Sequence, residues 1–151
     1  MKEHIDKTLA SSAQILFALK TLKAHGTSNT MLQTVFRSVA LAKLQYASPA
    51  WHGFASAEDR DRIEAFIRRS ARAGYCGQQA PIFKDLCEES DRRLFQRIAS
   101  NGNHVLHSIM PDKVVQKYNL RPRDHNYALP KRSSALCDRN FLIRVLYSKY
   151  Q

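Results

Sequence analysis

Between Leu44 and Tyr75 the chain reads LQYASPAWHGFASAEDRDRIEAFIRRSARAGY, and no other stretch restricts the fold as tightly. Ser48-Pro49 breaks any helix arriving from upstream, because the residue before a proline is pushed out of the α region and the proline has no amide donor. Trp51 and Phe54 then fall in a short connector. Ser56 suits an N-cap, and Glu58 and Asp59 suit the positive end of a helix dipole, so a helix is predicted from about Ala57 to Tyr75. At about 100° per residue, Ile63, Phe66, Ile67, Ser70 and Ala73 share one face, while Arg62, Arg68, Arg69 and Arg72 share the opposite one. One side packs and the other is cationic. Gly74 and Gly77 supply the left-handed stop.

Upstream, Ile5, Leu9, Ser12, Leu16 and Leu19 recur at helical spacing from about Lys2 to Ala24, and His25-Gly26 ends the pattern. Ser28 or Asn29 can cap a second helix running from about Thr30 to Ala47. Met31, Leu32, Val35, Phe36, Val39, Ala42 and Tyr46 form its main face, with Leu41 and Leu44 apolar on the other side. Lys43 sits at the rim, its stem covered and its ammonium in solvent. Three helices of similar length with short connectors make a three-helix bundle over residues 1–77.

Past Tyr75 the pattern loosens. Pro81 can open a short helix through Cys87, and Ser90 with Asp91 can start another carrying Leu94, Phe95 and Ile98. Asn101-Gly102 interrupts it before Val105, Leu106 and Ile109 resume. From 112 to 137 the sequence is proline-punctuated, basic and aperiodic, hence loop. The closing DRNFLIRVLY returns to helix, with Phe141, Leu142, Val145 and Leu146 as a docking face. The expected class is all-α, with residues 78–151 forming a segment of shorter helices and basic loop.

With 24 Lys and Arg against 13 Asp and Glu, the net charge is +11. Such a surplus attracts polyanions through counterion release, so nucleic acid is the expected partner. Cys76, Cys87 and Cys137 are odd in number and widely spaced, which fits free thiols in a reducing, intracellular compartment, nuclear or cytoplasmic. No run of about 18 apolar residues is present for a membrane span, and no cleavable leader points to secretion.

His104 and His107 are spaced to share a metal on a helix, but no Cys-x-x-Cys pair accompanies them, so ordinary polar contacts are expected and no metal or other cofactor is. Asp59, Asp61 and Glu64, and Glu88, Glu89 and Asp91, are the dense acidic sets. Both lie among arginines, where surface pairing at helical spacing is the simpler use. Phosphate loop, nucleophile elbow and dinucleotide fingerprint are all missing, so neither an enzyme active site nor a small-molecule substrate is expected. That leaves Arg62, Arg68, Arg69 and Arg72 as the candidate phosphate-binding set, because guanidinium groups hold phosphate bidentately. Lys20, Lys23, Arg37 and the basic stretch from Arg121 to Arg132 can extend it.

YASPAWHGF, then DRIEAFIRRSARAGY, then LFQRIASNGNHVLHSIMP and finally DRNFLIRVLY stand in an order that resembles the C-terminal part of jockey-like non-LTR retrotransposon reverse transcriptases. The resemblance implies a thumb-like bundle over His4 to Tyr75 that grips a primer-template duplex, followed by a downstream segment. The family's Tyr-x-Asp-Asp turn is missing here, as is any Asp-Asp pair, and so are the fingers, palm and endonuclease. The resemblance therefore implies a non-catalytic fragment of an RNA-directed DNA polymerase that contacts nucleic acid non-specifically, with the polymerase palm and fingers as its other partners. The alternatives are an independent helical DNA-binding module and a protein-interaction module.

Overall fold

A computed structural model describes residues 1–77, 79–114 and 125–148. Those residues are mostly helical, with no strand among them. They divide into two compact units, Met1–Ser90 and Asp91–Gln151.

In the first unit, α1 spans Lys2–Ala24 and α5 spans Ala57–Arg72. Both close with the same backbone device. Gly26 (φ 84°) and Gly74 (φ 87°) adopt the left-handed conformation that a Cβ disfavours. The amides of Thr27 and Tyr75 then reach back to the carbonyls of Leu22 and Ser70, at 3.1 and 3.0 Å. The α5 start is fixed by Ser56, whose Oγ accepts from the Asp59 amide at 3.1 Å and donates to the Asp59 carboxylate at 2.9 Å.

The second helical stretch is three pieces in line: α2 (Asn29–Val35), capped by Ser28, a π segment (Phe36–Leu41) and α3 (Ala42–Gln45). The π segment corrects the expected faces. Each wide turn takes an extra residue, so the helix beyond it is rotated by about one residue's worth of turn. The buried stripe accordingly runs Leu32, Phe36, Ala40 and then Leu41 and Leu44. The expected second apolar face is this one stripe after a phase slip. Met31, Val35, Val39 and Tyr46, expected on the main buried face, are exposed instead, Met31 to 65% and Tyr46 to 76%. Lys43 donates to Ser11 Oγ of α1.

The stretch ends at Gln45, ahead of Ser48-Pro49, and Ser48, expected to leave the α region before the proline, instead opens the next helical turn. Ala47 takes a left-handed φ of 50°, and the connector then forms a helical turn, α4 (Ser48–Trp51), and a 3-10 turn (His52–Phe54). Trp51 turns into the core, where its Nε1 donates to the Tyr46 carbonyl at 2.9 Å and its ring stacks on Phe83 at 5.8 Å. Ile5, Leu19, Leu32, Phe36, Leu44, Ile63, Phe66 and Ile67 complete a core shared by all three long helical stretches.

Residues 81–100 depart from expectation. One continuous helix, α6 (Phe83–Ser100), replaces the two short ones. Ser90 does not cap a new start: its hydroxyl donates back to the Leu86 carbonyl at 2.8 Å, a bond open to a serine inside a helix. Phe83 and Cys87 belong to the first core, so the division between units falls inside α6 at 90/91 rather than at 77/78.

In the second unit, Val105–Ile109 is not helical beyond a 3-10 turn at His107–Ile109, and Val105 is 85% exposed. Within the stretch expected to be loop, Lys113 and Tyr127 form an antiparallel bridge, and α7 covers Ala135–Asp138. The closing helix α8 (Phe141–Tyr147) has Asn140 as its cap. Val145 and Leu146 are buried with Phe95 and Tyr127, and Phe141 and Leu142 pack against them.

Candidate nucleic-acid interface

The α5 arginines do not act as a set of four. Arg68, Arg69 and Arg72 are exposed and make no ion pair among the described residues. Arg62 is drawn out of the row: Nη2 lies 2.6 Å from Asp6 of α1, and Nη1 lies 3.2 Å from Asp59. The hydrogen bond to Asp6 holds its guanidinium still more firmly protonated than usual, against the opposing cost of burial. The reason is angular. Arg62 lies only about 40° around the helix from buried Phe66, whereas Arg68 and Arg72 point directly away from the packed side.

The three free guanidiniums occupy the last turns of α5, and further cations gather at that end. Lys23 Nζ donates to the Ala73 carbonyl at 2.8 Å and lies 5.7 Å from the Tyr75 ring centroid. Gln33 Nε2 reaches the Gly74 carbonyl at 3.5 Å. These contacts cover carbonyls that would otherwise present the negative end of the helix dipole to an approaching anion. Arg37 is close enough to oppose the upward push that burial gives the Cys76 thiol. Lys20 is exposed on α1.

The acidic residues that could neutralise this face are mostly engaged elsewhere. Glu64 accepts the Phe83 amide at 2.7 Å, and Asp59 holds Ser56 and Arg62. Asp61 is exposed on the same side as Arg68, two turns nearer the N-terminus, about 10 Å away along the axis. The cationic ground is therefore the C-terminal half of α5 and its surroundings.

The other candidate groups are not brought together. Among the described residues, no three His, Cys, Asp or Glu side chains are arranged to hold a metal. His104 Nδ1 accepts the Leu106 amide at 3.1 Å, Cys76 and Cys87 are buried, and Cys137 is exposed. Arg121 and Arg123 of the proposed basic extension lie outside the described residues.

One feature of the second unit escaped the sequence. Phe95, His125 and Tyr127 group with ring centroids 5.7 to 5.9 Å apart, beside a cleft of about 580 Å3. Its walls come from α6 and from residues paired across the 113–127 bridge, so no linear motif marks it. Comparison with protein-family models, curated proteins and solved structures returned no match.

Proposed function

We propose that this chain contacts the sugar-phosphate backbone of a nucleic-acid duplex without reading its sequence, as the thumb-like C-terminal part of a jockey-like RNA-directed DNA polymerase. The observation that carries the reading is the exposed row Arg68, Arg69 and Arg72, without an ion pair among the described residues, on a helix whose other side is locked into a core. Its supports are the net charge of +11, the capping of the adjacent carbonyls by Lys23 and Gln33, and the order of the resembling segments. On this reading the chain is not itself a polymerase, since its sequence lacks the paired aspartates that would hold two metal ions for phosphoryl transfer.

Titration of an RNA-DNA hybrid duplex at several salt concentrations tests it. Replacing Arg68, Arg69 and Arg72 together with Ala lowers the magnitude of the log-log salt slope by about 2.7, at about 0.9 per phosphate, whereas Arg62→Ala leaves it unchanged. An affinity and slope untouched by the triple replacement removes the assignment. Selection from random duplexes returns no motif, because backbone contacts carry no base information.

The exposed stripe Met31, Val35 and Val39 favours a second reading, a protein-interaction module. Sedimentation showing self-association with no nucleic-acid affinity would decide for it.

A further inference from the structure

We propose that the cleft in the second unit is a separate site for one unpaired nucleotide of a single-stranded nucleic acid, with the base on the Phe95–His125–Tyr127 side and the phosphate at the basic rim. The ring group is braced by mutual ring contacts and two hydrogen bonds. Tyr127 stands edge-on to Phe95, at 80° between ring planes. His125 is held at both nitrogens: Nδ1 accepts the Tyr127 amide at 3.3 Å, so in the neutral ring Nε2 is the donor to the Leu146 carbonyl at 3.0 Å. Fixed aromatic surface beside a mostly apolar hollow is what a base face needs, because stacking on a preorganised ring costs little conformational entropy.

Two amides, Gln96 on α6 and Asn126 beside the bridge, line the same cleft. Each offers both a donor and an acceptor, the pairing that base edges present. Lys113, another lining residue, has Nζ 5.6 Å from the Tyr127 ring centroid, which places a cation within reach of a base seated there. Arg92 adds a second cation, and among the described residues no carboxylate lines the cleft. Its volume of about 580 Å3 falls within the roughly 300–1,000 Å3 usual for small-ligand pockets. A polyanion, rather than a free aromatic acid, is favoured by the surroundings: residues 91–151 hold twelve Lys and Arg against four Asp and Glu.

The test compares the full chain's affinity for an oligothymidine strand of about twelve nucleotides with that for an abasic strand of equal length, at one salt concentration. Equal charge cancels the phosphate contribution and leaves the base. The expected result is about tenfold tighter binding of oligothymidine, by the usual worth of one stacked base. The advantage shrinks in the double variant Gln96→Ala, Asn126→Ala, which keeps the rings but loses the base-edge partners, and collapses toward unity in Ser100→Trp, which plugs the cleft from an exposed position without touching the core. Equal affinity for the two strands overturns the site, and so does an advantage that survives both variants. The Arg68, Arg69 and Arg72 triple replacement keeps the base-dependent advantage while losing duplex affinity, so this site and the α5 reading fail separately.

Discussion

The two units are held together by different physics. In Met1–Ser90 the interior is a continuous apolar cluster that includes Phe36, Phe66, Trp51 and Phe83, and its polar bonds mostly finish helix ends. In Asp91–Gln151 the buried hydrophobic cluster among the described residues is smaller, built on Phe95, Tyr127, Val145 and Leu146. Directional bonds take over there. Arg144 of α8 grips Asp91 of α6 bidentately at 2.9 and 3.0 Å, and the Tyr147 hydroxyl donates to the Pro130 carbonyl at 2.7 Å. The guanidinium of Arg132 lies 5.0 Å from the centroid of the same Tyr147 ring. Where apolar area is scarce, a chain rich in arginine uses guanidinium forks and aromatic rims as fasteners.

The largest expected effect sharpens that contrast. Phe66→Ala removes a ring that is 2% exposed and stacked on Phe36, and costs about 3–5 kcal/mol, read as a lower urea midpoint. Next is Arg144→Ala, expected to cost about 3 kcal/mol by stripping a guanidinium from a carboxylate that is nearly inaccessible. Amide exchange locates the damage: residues 125–148 lose protection while α1 and α5 keep theirs. If α1 and α5 loosen as much, the units are not held separately and the contrast fails.

Thiol chemistry separates the units more gently. Cys137 is exposed, and hydrogen bonds from Ser133 and Ser134 pull its thiol below the ordinary range. Cys76 is buried and pushed upward. Iodoacetamide near neutral pH should therefore modify Cys137 first by mass spectrometry. Even a local opening of ~1.4 kcal/mol slows attack on the buried thiols about tenfold. The smallest effect concerns Asp138, whose carboxyl the Arg132 fork, at 2.7 Å to each oxygen, holds below the usual carboxylate range. Because its folded value is depressed, what it adds to stability is present above the unfolded value and disappears as pH falls through the folded one. Carbon-13 titration of the carboxyl should show this, and Arg132→Ala should return it to the ordinary range.

How far the sequence could be read depended on how local the deciding forces were. The extents of α1 and α5 were legible because a stripe and a glycine stop, and for α5 the Ser56 cap, lie within a turn of the backbone they fix. The faces of the second helix were not, because a π segment is a packing response and Met31, Val35 and Val39 look as buriable as Leu32 and Phe36. Two helices were expected where α6 runs unbroken, since Ser90 can cap or bond backward and only its neighbours choose. Within the arginine face, Arg68, Arg69 and Arg72 emerge as expected, while Arg62 is lost to Asp6, a residue 56 positions earlier in the chain.

By itself, then, the sequence determined the all-helical class, the long first and third helices with their glycine stops, and a cationic outer side on α5. These features rest on backbone hydrogen bonding and side-chain direction within a few residues. Only the tertiary structure decided which arginines stay free, where the first unit ends, and that Phe95, His125 and Tyr127 meet beside one cleft. Those outcomes depend on distances between residues far apart in the chain, and periodicity carries no information about such distances.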